Sequence, residues 1–416
     1  MSEVVPATPV ASARRARVAV SLGFGAQGFV FAMILTSLDV FKDRYGIEDG
    51  TIAFVILGVC VMAGVGTVVA DRVARSTAGS RGVLVRGLVV VAAAVALVAV
   101  SPTFAVLAAG FAVYGVGLGM VDSGTNMQAV SIQRAYGRSL LTGFYASWSA
   151  GGILGSVMVA VATGRISADP IGWTLLVGTV VAVGVCLIVR RSAWREQSDP
   201  VPFSVDAALA DTEAAQDARK PVIPWGPLLI LGLGVVAYYV NDQAISTWSP
   251  IFMHEVLGET GTLTKLGYAA YLAMTLVSRL AGDPCVRRWG RVRVVRVAAL
   301  VGAVGLVLVL TAHAPAQAVL GFAVAGAGLG LIAPLCFSSA GLLAPGHADA
   351  VIARLNGFNY LGAVLGGVFV GFIGTASSLR WGFLVPVVLV LAVAVLAGRF
   401  GVVQHAKTPL SAGASA

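Results

Sequence analysis

Twelve apolar runs, each of roughly 20 residues or more, follow one another along this 416-residue chain, at about 18–41, 50–70, 83–101, 104–131, 141–163, 171–190, 225–252, 264–282, 294–312, 316–341, 352–376 and 378–399. A bilayer's hydrocarbon core is about 30 Å thick and takes roughly 20 apolar residues of helix to cross. In lipid the backbone must satisfy its own N–H and C=O groups, so runs of this kind are transmembrane helices. Composition rules out a water-soluble bundle: 58% of residues are hydrophobic, 11% are charged and the mean hydropathy is +0.90, where a soluble domain carries about a quarter charged residues.

An even number of spans puts both termini on one side. Roughly 22 Lys and Arg fall in the loops and tails of that side, and roughly five (Lys42, Arg44, Arg165, Lys265, Arg380) on the other. The excess of Lys and Arg predicts cytoplasmic termini in a bacterial cytoplasmic membrane. The net charge of +9 is thus a topology signal rather than a nucleic-acid footprint, because the basic residues lie between apolar runs and not on one polar face. Arg14, Arg15 and Arg17 precede the first run, which is too long for a leader and is closed by no small-residue cleavage site, so an uncleaved first helix is expected. Cys60, Cys186, Cys285 and Cys336 lie in or beside apolar runs without metal-ligand spacing, which predicts free thiols and no metal.

The polar stretch from about Arg191 to Pro224, with Asp199, Asp206, Asp211, Glu213 and Asp217, holds too few apolar residues for a core and is expected to be a linker. The expected organisation is an N-terminal tail (1–17), a first six-helix half (18–190), a cytoplasmic linker (191–224) in which 203–216 could form a surface helix, a second half (225–399) and a C-terminal tail (400–416). An internal repeat supports two halves: Gly110-Phe-Ala-Val-Tyr-Gly-Val-Gly-Leu-Gly119 returns as Gly321-Phe-Ala-Val-Ala-Gly-Ala-Gly-Leu-Gly330, and Asp71 and Asp283 each close an apolar run ahead of basic residues at nearly the same offset. Glycine concentrates in these segments and lets helix backbones approach closely in lipid, for static packing, for sliding, or for both.

These residues carry a family resemblance. Gly66-Thr-Val-Val-Ala-Asp71-Arg72-Val-Ala-Arg75 resembles the signature loop of the major facilitator superfamily without its usual glycine and basic cluster, and Arg279-Leu-Ala-Gly-Asp283 with Arg287, Arg288, Gly290, Arg291 and Arg293 resembles it more closely. Asp122-Ser-Gly-Thr-Asn126-Met-Gln128 with Arg134, Gly137 and Arg138, Ser147-Trp148-Ser149-Ala-Gly-Gly152, Asn241-Asp242-Gln243 and Trp248-Ser249 are similar to the fucose-permease-like group and its uncharacterised relatives. Where those relatives have Glu in span 7 this chain has Asp242, and where they have His in span 5 it has Tyr145. The resemblance covers about 18–400 and implies an all-α membrane protein of twelve transmembrane helices in two pseudo-symmetric six-helix halves, the major facilitator fold. It also implies a conformational latch formed by Asp71, Arg72, Arg75, Asp283 and Arg287. Capping and positive-inside charge are the plainer reading of the same residues.

A carboxylate inside a span is costly, faces the protein interior or water, and marks function. Burial also favours its neutral form, which makes it able to carry a proton. Asp122 and Asp242, one in each half, are therefore the proton-coupling candidates, with a structural pairing to Arg279 or Arg138 as the alternative. Asp39, beside Lys42 and Arg44, is expected in a surface salt bridge. Arg279, near the cytoplasmic end of its span, is expected to reach the headgroups or join the latch. Polar and aromatic residues at mid-span are the candidate solute lining: Gln27, Asn126, Tyr145, Trp148, Tyr238, Tyr239, Asn241, Gln243, Trp248, Asn356 and Asn359. Amides suit a hydroxylated solute and aromatic faces suit rings; interhelical packing is the alternative for each.

No hydrolase, kinase or nucleotide-binding signature is visible, and the four histidines are scattered. The expectation is a non-enzymatic secondary transporter that needs no cofactor, moves a small organic solute with H+ by alternating access, acts as a monomer in the bilayer and binds no nucleic acid. The resemblance favours a sugar-like solute. Proton-driven efflux of drugs or metabolites is the rival within transport, and a membrane-embedded enzyme or sensor the distant one.

Overall fold

The structure is a computed structural model and describes residues 11–47, 49–165, 169–194, 223–259, 263–344, 347–376 and 379–400. The expected linker and most of both tails lie outside the described residues. Six long helices come first: α1 (Ala11–Thr36), α3 (Asp49–Ala74), α4 (Gly79–Ala99), α5 (Phe104–Tyr136), α6 (Leu141–Arg165) and α7 (Pro170–Ser192), with a short α2 (Leu38–Tyr45) after α1. The second set is α8 (Trp225–Ile251), α9 (Leu263–Trp289), α10 (Arg291–Leu310), a run divided into α11 (Pro315–Leu329) and α12 (Ile332–Ala340), α13 (Ala348–Ala376), and a last run divided into α14 (Leu379–Gly382) and α15 (Leu384–Leu396). Nine of these described helical runs are by themselves long and apolar enough to cross a membrane. Phe54, Val180, Leu320 and Val395 are exposed along them, an apolar outer surface that suits lipid and not water.

Local chemistry sets the helix ends. Thr103 caps α5 through its hydroxyl, and Gly137 ends that helix at φ 62°, a left-handed conformation that glycine adopts without strain. Pro170 stands in the first turn of α7, whose N-cap Asp169 accepts from Gly172 N at 3.0 Å. Asp169 also pairs with Arg44, one of the two cations beside Asp39; the Asp39 side chain lies outside the described residues. The four cysteines are free.

The two sets pack alike. In the first, α1 packs on α6, α3 on α5, α4 on α5 and α4 on α7; in the second, α8 packs on α13, α9 on α11, α10 on α11 and α10 on α15. The glycines repeat this correspondence atom for atom. A Cβ at Gly115 would stand 2.6 Å from Val59 O, and one at its repeat-mate Gly326 would overlap Tyr271 O. Gly155 meets Phe29 O across α1·α6 as Gly366 meets Val240 O across α8·α13. The halves then meet through α3 on α13 and α6 on α9, two contacts that the repeat interchanges.

Candidate functional site

Asp122 lies past the middle of α5, where the helix faces both α1 and the opposite half. Gln27 Nε2 donates to its Oδ1 and the Tyr360 hydroxyl, from α13, donates to its Oδ2. One turn further on, Asn126 donates to Asp122 O at 2.9 Å and to Asn356 Oδ1 at 3.3 Å, while accepting from Tyr145 OH at 3.0 Å. Asn359 Nδ2 reaches the same Asn356 oxygen at 3.0 Å. This cluster draws on α1, α5, α6 and α13, and so on both halves. It is also incomplete: Gln27 Oε1, Asn356 Nδ2 and Asn359 Oδ1 are buried and have no partner among the described residues. A buried amide atom without a hydrogen bond is costly, so such atoms at the centre of a fold are placed to pair with an ordered water or a ligand.

The second carboxylate is built differently. Asp242 Oδ1 accepts from Tyr271 OH at 2.8 Å and from Tyr238 OH at 3.3 Å. The Tyr238 oxygen in turn accepts from Arg279 Nη2 at 2.6 Å, so one hydroxyl joins the two charges. Arg279 corrects the sequence expectation. It is 3% exposed, reaches across the half interface to Ser149 Oγ at 2.6 Å, and lies 5.5 Å from the Tyr145 ring centre and 5.9 Å from that of Trp148. Its Nε donates to Gly330 O at 3.3 Å. That carbonyl is free because the residue four positions on, Pro334, has no N–H to offer it. The same proline accounts for the break between α11 and α12 in what the sequence presents as one run. Arg279 therefore belongs to the centre and not to the headgroups.

At the end of the bundle that carries the termini, Asp283 in α9 accepts from Ser139 Oγ at 2.7 Å and from Gly143 N at 3.0 Å. Gly143 is in the first turn of α6, so a carboxylate of the second half caps a helix of the first. Arg287 Nη1 lies 3.5 Å from Ser139 O in the same corner. Asp71 makes the repeat-related contact, pairing with Arg75 just past the end of α3 and with Arg354 of α13 at 3.4 Å. Arg72 is exposed and has no part in either contact. The capping contact of Asp283 thus crosses from one half to the other.

The remaining candidates divide. Tyr239 packs edge-on against Tyr238, with ring centres 5.0 Å apart, and Trp148 packs against Phe31. Asn241 turns away from the cluster: its amide nitrogen donates to Ala237 O at 2.7 Å and to Pro386 O at 3.4 Å, which makes it part of the α8·α15 seam. Gln243 Nε2 donates to Thr247 on its own helix at 2.8 Å. Trp248 is half-buried against the apolar core. Sequence reading missed Tyr360, Tyr271 and Arg354. Tyr360 is four residues after Asn356 and Tyr271 eight before Arg279, so helical spacing alone put each on the right face.

Comparison with known proteins agrees with this architecture. The family profile described as Major Facilitator Superfamily matches residues 20–284 and 231–416. An uncharacterised MFS-type transporter of Yersinia pestis is 27% identical over 383 residues, covering 91% of this chain and 94% of the relative. The outward-facing structure of FucP superposes with a TM-score of 0.73 at 12% identity, covering 92% of this chain and 97% of that one. The proton:xylose symporter XylE superposes with a TM-score of 0.74 at 12% identity, covering 92% and 94%. The chain, with two like sets of six helices meeting over a polar centre, belongs to the Major Facilitator Superfamily.

Proposed function

We propose that this transporter moves a small polar organic solute across the bacterial cytoplasmic membrane together with H+, acting as a monomer with cytoplasmic termini. The observation that carries this reading is the cross-half cluster of Asp122, Gln27, Asn126, Asn356, Asn359 and Tyr360, in which three buried amide atoms lack partners among the described residues. A solute with hydroxyl or carbonyl groups satisfies such atoms and would be released when the halves part, which is what alternating access requires. Asp122 is the proposed proton carrier. Its side-chain partners among the described residues are the neutral Gln27 and Tyr360, so either protonation state can be accommodated, whereas Asp242 is tied through Tyr238 to a permanent cation. The solved neighbours are named for sugar symport, FucP as the E. coli fucose:proton symporter and XylE as a proton:xylose symporter, which favours a hydroxylated solute.

The test is direct. Purified protein in liposomes with a pH-sensitive dye inside is offered a panel of monosaccharides, polyols and sugar acids at equal pH on both sides. Symport acidifies the lumen as the solute enters. In Asp122→Asn the solute should still exchange across the membrane with no proton movement. Solute entry without acidification in the wild type rules out symport, and proton movement opposite to the solute replaces it with the efflux reading.

A further inference from the structure

We propose that the transported solute carries an anionic group, a carboxylate or its chemical equivalent, and that Arg279 receives it between α6, α8 and α9. This deepens the transport reading above and rests on it.

Arg279 is a permanent cation held where it is 3% exposed. Its hydrogen-bond partners among the described residues are neutral: Gly330 O, Ser149 Oγ and Tyr238 OH. A glutamine could bridge such groups without a charge, and the charge is what a bilayer interior penalises, so the geometry points to a use for the charge itself. A guanidinium has five N–H donors. The three contacts use one on each nitrogen, which leaves one on each terminal nitrogen without a partner among the described residues, and guanidinium N–H groups are donors that a carboxylate takes in pairs.

The balancing charge stands one hydroxyl away. Tyr238 separates Arg279 from Asp242, and Tyr271 gives Asp242 a second donor. A solute anion can thus meet the guanidinium without first breaking a direct ion pair. The aromatic rings of Tyr145, Trp148 and Tyr238, with centres 5.5, 5.9 and 6.0 Å from the guanidinium carbon, exclude water from around it, and attraction between charges strengthens as the local dielectric falls. Tyr145 also donates to Asn126, which connects this site to the amides that lack partners. One solute can therefore place its anion on Arg279 and its hydrogen-bonding groups on Asn356 and Asn359.

The test uses the full chain in lipid nanodiscs and matched pairs of acids and neutral analogues: galacturonate and galactose, gluconate and sorbitol, phenylacetate and phenylacetamide, lactate and lactamide. At least one acid should raise the melting temperature in a concentration-dependent way, with its neutral partner at least tenfold weaker. Arg279→Gln should abolish that shift, and Arg279→Lys should weaken it at least tenfold. Because the comparison of acid with neutral partner is made on the wild type, it holds even where a variant does not fold. Equal shifts from both members of each pair, shifts from neutral members alone, or no shift from any acid overturn the anion proposal. Counterflow of the bound acid in liposomes separates the two readings. An acid that binds through Arg279 without crossing the membrane defeats transport and leaves the anion site standing, whereas a neutral solute exchanged at an unchanged rate by Arg279→Gln defeats the anion site and leaves transport standing.

Discussion

Asp122 accepts from a neighbour in each half, Gln27 of α1 and Tyr360 of α13, so its protonation and the contact between the halves form one equilibrium. Tyr360→Phe removes the donor from the opposite half and little else. A hydrogen bond to a charged group is worth about 1.5–3 kcal/mol, so the balance of conformations should move away from this one by roughly tenfold or more. Distance measurements between spin labels across the half interface would check it; an unchanged distribution would mean that the tyrosine contributes no cross-half energy. At this scale the sequence showed the charges and hid their partners. Asp122, Asp242 and Arg279 stand out because ionised groups are rare within spans. Tyr360 and Tyr271 do not, because tyrosine is common at membrane interfaces. Arg279 was misplaced for a related reason. It is one turn from Asp283 on the same face of α9, and sequence does not tell that a turn of about 5.4 Å separates the capped corner from the centre. Nor does it tell that Pro334 frees a carbonyl to receive the guanidinium.

Helices cross most closely where glycine meets backbone, and those crossings are the least able to yield. A side chain at Gly155 would overlap Phe29 O of α1, and a carbonyl cannot rotate aside as a flexible side chain can. Gly155→Val should therefore destabilise by at least the 1–3 kcal/mol typical of overpacking, while Gly184→Ala, with nothing within 4 Å of the new atom, should leave the melting temperature unchanged or slightly raised. Equal effects would mean that close backbone approach is not what these glycines supply. The latch belongs to this scale too, since Asp283 acts on a helix end. Asp283→Asn keeps one acceptor oxygen and loses the charge, and Asp71→Asn loses the pairing with Arg354. Each should increase solvent access at the end of the bundle where these contacts lie, and the double variant should be non-additive if both hold one conformation. Cysteine accessibility that is unchanged in both single variants would reduce the pair to capping. The helices themselves were readable from apolar run length. Short α2 was not, since its eight residues include Lys42, Asp43 and Arg44 and look like a loop. The division of α11 from α12 was equally hidden inside an unbroken apolar run.

The internal repeat made the whole molecule more legible than any one helix, because two matched segments fix a relation that the folded chain must honour. Gly115 and Gly326, found as sequence matches, make the same contact in their two halves, and the contacts α3·α13 and α6·α9 close the dimer-like arrangement of halves. What the repeat leaves open is which side faces the cytoplasm, and that rests on the distribution of Lys and Arg alone. In a chain with Cys60, Cys186, Cys285 and Cys336 replaced by serine, Gly258→Cys should react with a membrane-impermeant maleimide on intact cells, and Ser192→Cys only after permeabilisation. The pair makes two separable tests. α8 (Trp225–Ile251) is the long helix between them, about 40 Å at 1.5 Å per residue, enough to cross the bilayer once, so labelling of both from the same side would remove α8 as a span. Labelling on opposite sides but in the reverse order would keep every span and invert the protein, placing Asp71, Asp283 and the closed end of the bundle outside the cell. The charge bias of roughly 22 to five weighs against that inversion, because each inverted loop would carry its arginines across the membrane during insertion.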